Sequence, residues 1–137
     1  MFGQTVFIVC SCIFCTFEAF CMARRFLTLD VFTQMPLSGN PLAVVLDCEG
    51  LSCEQMQSSA RECNFSETTF VWPPDNTDNS ANVIIFTPER ELPFAGHPTI
   101  GTAVALALRD HEGKQDFEVE VRLEEKIGLV PVMVTIS

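Results

Sequence analysis

The sequence predicts an α+β domain in which a mixed sheet wraps around one apolar helix. Three observations carry that prediction. Short apolar and β-branched runs recur along the chain, each closed by Pro, Gly or Asn turn chemistry. The segment after Pro98 is rich in Ala and Leu over a wide stripe, which marks a largely buried helix. The chain of 137 residues is 47% hydrophobic and 19% charged, enough for one real core and short for two.

The elements follow in order. Phe26 to Phe32 reads as a strand, ending in the loop Thr33-Gln34-Met35-Pro36. Ser38-Gly39-Asn40-Pro41 is a turn cluster, and Leu42 to Leu46 is a buried strand. Ser52 is placed to cap a helix, with Gln55 three residues on completing a capping box. That helix, Cys53 to about Cys63, presents Met56, Ala60 and Cys63 on one face. Asn64-Phe65-Ser66 breaks it, and Glu67 to Trp72 reads as strand. Pro73-Pro74-Asp75-Asn76 is a loop before a further strand, Ala81 to Phe86. Pro98 suits the first position of the next helix, because its missing N–H would have no helical partner there. The helix runs to about Arg109, with Ile100, Ala103, Val104, Ala107 and Leu108 as its core stripe. Phe117 to Leu123 alternates apolar with charged residues, the pattern of a half-exposed strand. Ile127 to Ile136 forms a strand pair, or one long strand interrupted at Pro131.

Residues 1–22 stand apart from the domain at 23–137. Val6 to Phe17 has the length of a signal-peptide core and is too short for a bilayer span. No Lys or Arg precedes it, so Met22 as the true initiator competes with a cleaved signal, and the expected location is the cytoplasm. Seven cysteines, four of them before Met22, do not form a disulfide framework. The Cys12 and Cys15 spacing has no second pair or histidine near it, so the thiols read as apolar packing and no metal site is expected. A net charge of −10 argues against general nucleic-acid binding. A local anion pocket remains compatible with that charge, since backbone amides supply positive potential.

Two places carry chemistry. At Glu91-Leu92-Pro93-Phe94-Ala95-Gly96-His97-Pro98-Thr99-Ile100-Gly101 a tight loop delivers the chain into a helix start. The unpaired amides and positive pole there suit a carboxylate or phosphate, and His97 sits where it can donate to one. Gly101 and Thr102 keep the first turn slim, so another molecule or segment can approach closely. An ordinary helix start with a surface histidine is the alternative. Glu67 opens an apolar strand, and partial burial fits a carboxylate to take and return a proton. Its alternative is an edge position or a hydrogen-bonding partner for the preceding helix end.

Four blocks occur in order: Gly39-Asn40-Pro41-Leu42-Ala43-Val44-Val45, Asn64-Phe65-Ser66-Glu67-Thr68-Thr69-Phe70-Val71, Phe86-Thr87-Pro88, and the Glu91 to Gly101 run. With Asp30-Val31-Phe32-Thr33 before them, the set closely resembles the phenazine-biosynthesis PhzF-like isomerase family, related in fold to diaminopimelate epimerase. The resemblance covers roughly Arg25 to Ile136. It implies two halves, each a barrel-like sheet around a central helix, with the active site in the cleft between them. It gives Glu67 the role of moving a proton between two carbons of a cyclic acid such as trans-2,3-dihydro-3-hydroxyanthranilate, without metal or organic cofactor. His97 joins that cleft as the second catalytic residue. Gly96 offers an amide to the substrate carboxylate, the same block brings Pro98 and Thr99 to the substrate, and Asn40 supports the cleft.

Two departures from the family matter. Related epimerases place a cysteine at the equivalent helix start of each half, whereas Ala95-Gly96-His97 stands here. A one-base isomerase therefore fits better than a two-thiol amino-acid epimerase or racemase. The chain also stops near the end of the first half, so a truncated form is expected. Its partner would be a second copy, or a chain supplying the other half. Half a cleft would leave Glu67 facing solvent and an apolar wall exposed. A non-catalytic half-domain acting as a binding module is the competing reading.

Overall fold

The computed structural model describes residues 24–137. The readings made for residues 1–22, including the four cysteines there, lie outside the described residues. The elements are β1 (Phe26–Val31), β2 (Asn40–Val45), α1 (Cys53–Cys63), β3 (Glu67–Trp72), β4 (Ala81–Phe86), β5 (Glu91–Leu92), α2 (Gly96–Asp110), β6 (Phe117–Glu125) and β7 (Gly128–Ile136). The strands form one sheet in the order β1-β2-β3-β4-β6-β7, with β5 beside β4. The β2–β3 and β4–β6 pairs are parallel and the others antiparallel. A parallel step needs a crossover connection, and these two crossovers carry α1 and α2.

The two-residue period of the strands sorts the core into two layers. On one face Leu42, Val44, Val71, Ile85, Val121 and Leu123 pack with Ala103 to Ala107 of α2. On the other, Val45, Phe70 and Phe86 pack with Met56 and Ala60 of α1, the two phenyl rings meeting edge-on at 5.7 Å. Covering both faces explains why β2 reads as a nearly unbroken apolar run from Leu42 and why Thr68 and Thr69 of β3 are buried. α1 carries the Ser52–Gln55 capping box. Asn64 closes it in the left-handed region at φ 54, its N–H returning to the Ala60 carbonyl. Cys63 is only half-buried.

α2 touches β1, β2, β3, β6 and β7, and so forms the axis around which the sheet curls. A Cβ built on Gly101 would lie 2.5 Å from Leu42 Cδ2 and 2.9 Å from Val31 Cγ2, so β1 and β2 use the space that glycine leaves. Thr102 Oγ1 meets Thr69 Oγ1 at 2.8 Å, which satisfies two buried hydroxyls.

Several details differ from the sequence expectation. α2 begins at Gly96, so Pro98 is its third residue, still within the first four whose N–H groups lack helical acceptors. Ile100 is 37% exposed, while Ala105 and Leu106 are buried in its stead. A helix apolar on most sides has no polar face to fix its phase, and the strands close against the small Gly101 side. Pro131 does not interrupt β7; it stands opposite Arg122 in an outermost strand, where a missing N–H breaks no interior ladder. β6 continues to Glu125, two residues beyond the expected end.

Candidate active site

Strand alternation decides where Glu67 points. Thr69 and Val71 face α2, and Glu67, two residues before Thr69, faces the same way toward the helix start. Asn40 shares that face at the head of β2, two residues before Leu42, whose neighbour across the parallel pair is Glu67. The loop after β5 then delivers His97 between them.

The contacts are short and close into a ring. His97 Nδ1 is 2.7 Å from Glu67 Oε2, and His97 Nε2 is 3.0 Å from the Asn40 carbonyl oxygen. Ser66 Oγ donates to Asn40 Oδ1 at 3.0 Å, and Ser66 precedes Glu67 in the chain. The histidine and glutamate side chains are 10% and 19% exposed. Glu67 is thus sheltered by its own domain rather than facing solvent, contrary to the expectation for half a cleft. Phe32 borders the pair, its ring centroid 6.2 Å from that of His97. Its backbone sits in the left-handed region at φ 62, a conformation that costs a phenylalanine strain.

These contacts fix a proton inventory. A backbone carbonyl only accepts, so His97 Nε2 carries a hydrogen and donates it to Asn40. The bond between Nδ1 and Oε2 then holds one further hydrogen. It sits either on the ring, giving imidazolium and carboxylate, or on the acid, giving neutral imidazole and carboxylic acid. In both arrangements one proton is shared between the ring and the carboxylate.

The start of α2 is bare. Ala95 is its N-cap, with extended backbone and no side-chain cap bond. The Gly96 and His97 amides have no acceptor within the helix, while the Thr99 N–H turns back to the Ala95 carbonyl at 3.2 Å. A Cβ on Gly96 would meet nothing within 4 Å, so that edge is open. Pro98 and Thr99, expected at the substrate, are instead buried under the first turn. Thr99 is 2% exposed, and its hydroxyl meets the Ala95 carbonyl oxygen and Glu125 Oε1. The structure therefore brings Glu67, His97, Asn40 and Gly96 together and sets Pro98 and Thr99 behind them. Ser66, Phe32 and Glu125 carry no role in the sequence reading. Their contacts span tens of residues and leave no local signal.

Among the described residues no cysteine enters this site. Burial pushes the Cys48 thiol up to about 12 and raises Cys63 as well, as befits packing thiols. Among the described residues no three His, Cys, Asp or Glu side chains gather as a metal site would require. No helix of the described residues is long and apolar enough to cross a membrane.

The profile of the phenazine biosynthesis-like (PhzC-PhzF) proteins matches residues 29–137. The chain belongs to that family. It is 54% identical over 114 residues to an uncharacterised isomerase of Mesorhizobium japonicum, covering 83% of this chain and 36% of the relative. It is 49% identical over 108 residues to the trans-2,3-dihydro-3-hydroxyanthranilate isomerase of Pseudomonas aeruginosa, covering 79% and 36%. Among solved structures, a predicted epimerase from Pseudomonas aeruginosa superposes with a TM-score of 0.72 at 38% identity, covering 81% of this chain and 38% of that one. The α+β architecture, a curled mixed sheet around a central helix, is thus one half of the epimerase-like fold found in PhzF proteins. The chain spans a little over one third of the length of the curated relatives it matches, 36% in both cases.

Proposed function

We propose that this PhzF-family chain carries one wall of an isomerase site in which Glu67 moves a proton between two carbons of a small cyclic carboxylic acid. The observation behind this reading is the 2.7 Å contact between Glu67 and His97. It leaves the glutamate with a second oxygen for the substrate and a proton that can be taken up or returned. A C–H proton passes to the carboxylate and then from it to another carbon of the same molecule. Nothing is oxidised, and no cofactor enters the balance. His97, locked by Asn40, holds the acid in place and shares its proton. The open Gly96 amide and the positive end of α2 are offered to the substrate carboxylate, with Asn40 at the border. An acid resembling trans-2,3-dihydro-3-hydroxyanthranilate is the substrate class we infer from the Pseudomonas aeruginosa relative.

Water exclusion demands an opposite wall, and we propose that a second copy of this chain or a complementing half supplies it. The free thiols Cys48, Cys53 and Cys63 go with a reducing, cytoplasmic setting. The test is proton exchange from solvent deuterium into a dihydro-hydroxyanthranilate substrate, followed by NMR. Turnover that disappears in Glu67→Gln supports the reading. Undiminished turnover in that variant overturns it, and an inert wild type at every concentration favours the binding-module alternative.

A further inference from the structure

Glu125 ends β6 beneath the first turn of α2 and has no part in the site described above. It is 8% exposed, and its Oε2 is buried with no hydrogen-bond partner. Thr99 Oγ1 lies 2.7 Å from Glu125 Oε1 and 2.7 Å from the Ala95 carbonyl oxygen. One hydroxyl carries one proton, yet neither a carbonyl nor a carboxylate can supply another. If both neighbours were pure acceptors, one of these two contacts would set lone pairs against each other at hydrogen-bond distance. The pocket of about 210 Å³ that Glu125 lines holds two further charged groups, Glu91 from β5 and Lys126 from the turn after β6. They pair with each other at 3.2 Å, so no cation is bonded to Glu125. From β4 the pocket receives only Asn82, Val83 and Ile84. On α2 the nearest titratable group, His97, is committed to Glu67 and Asn40.

We propose that Glu125 is kept as a neutral carboxylic acid that donates its proton to Thr99 Oγ1, and that the resulting chain, Glu125 to Thr99 to the Ala95 carbonyl, fixes the start of α2. Glu125 is then a positioning residue for His97 and the open amides, acting through Thr99 without touching substrate. An unpartnered buried oxygen is tolerable as the carbonyl of an acid and costly as half of a carboxylate. Burial also raises the Glu125 carboxyl above the ordinary carboxylate range, against a smaller opposing effect of the Thr99 bond. The consequence for catalysis rests on the proposed isomerase reading, but the protonation state does not.

The test uses the isotope-labelled chain and needs no turnover, so its failure is distinct from failure of the Glu67 assay. Carboxyl carbon-13 resonances are followed against pH together with the His97 ring nitrogens. The Glu125 carboxyl should stay at its protonated position after the exposed glutamates have ionised, and its later titration should carry a step in the His97 signals. Glu125→Gln, whose amide can donate to Thr99, should keep the His97 signals near their neutral-pH positions and lose that step. Thr99→Ser should retain the step and Thr99→Val should lose it. A Glu125 carboxyl ionised alongside the exposed acids overturns the proposal, even if no variant folds. So does a His97 step that persists in Glu125→Gln.

Discussion

His97 is a residue whose partners decide its chemistry: with the Asn40 carbonyl on one nitrogen and Glu67 on the other, the ring has no third role left for its side chain. Glu67→Gln preserves a hydrogen bond to the ring but removes the transferable proton. We expect it to fold normally, with the proposed turnover reduced about 10²- to 10⁴-fold, the usual worth of a general acid–base group; melting temperature and turnover measured side by side check this. Gly96→Ala fills space that no protein atom occupies. It should leave stability unchanged or raise it by about 0.4–1 kcal/mol while weakening binding of a carboxylate ligand, as calorimetry and denaturation would report. Glu67 and His97 were legible in sequence because each sits at a local anomaly, an acid opening an apolar strand and a histidine in a Pro- and Gly-punctuated helix start. Thr99 was misread. Which way its hydroxyl points depends on the helix phase, and that is set by strands folded around it.

At the scale of elements, α2 shows how packing overrules propensity. Ala is about 1 kcal/mol better than Gly in a helix interior, yet a Cβ at position 101 would meet Leu42 at 2.5 Å. Gly101→Ala should therefore destabilise the domain by about 1–3 kcal/mol, the range for overpacking, as chemical denaturation will show. The end of β6 sets two adjacent acids in opposite situations. Glu124 accepts from the Asp75 and Asn76 amides and the Asn79 side chain, contacts that hold its carboxyl below the usual range. Its contribution is present above the unfolded carboxylate value and lost as pH falls through the lower folded value. For Glu125 the folded value is raised, so its contribution is full below the ordinary range and lost as pH rises through the folded value. Melting curves across pH should show Glu124→Gln flattening the fall in stability below the ordinary carboxylate value, and Glu125→Gln removing a fall that sets in above it. The capping box and the Asn64 turn were readable because helix ends are local chemistry. β5 has only two residues and no periodicity to read, and Pro131 misleads until β7 is known to lie outermost.

Over the whole molecule, apolar side chains remain uncovered in the segments that frame the site. Phe32, Met35 and Leu37 lie in the loop after β1, Phe94 precedes α2, and Ile100 sits on its first turns. Leu37, at 91% exposure, is the extreme case. These side chains are the apolar surface that the proposed pairing would cover. Under the proposed pairing, light scattering should report a mass above that of the monomer, and Leu37→Glu should shift it toward the monomer while leaving the circular dichroism spectrum unchanged. A monomer at all concentrations would count against self-pairing. The mixed sheet around one apolar helix was legible, because turn signals and apolar runs are chain-local. The strand order and the second layer under α1 were not, since the β4–β6 pairing joins segments some forty residues apart.

The loop of contacts through Ser66, Asn40, His97 and Glu67 stitches together the heads of β2, β3 and α2, segments that meet only once the chain has folded. Any compound gripping that seam should delay heat unfolding of the entire domain. A dye-based melting screen of small organic acids can therefore search for a ligand independently of any turnover assay.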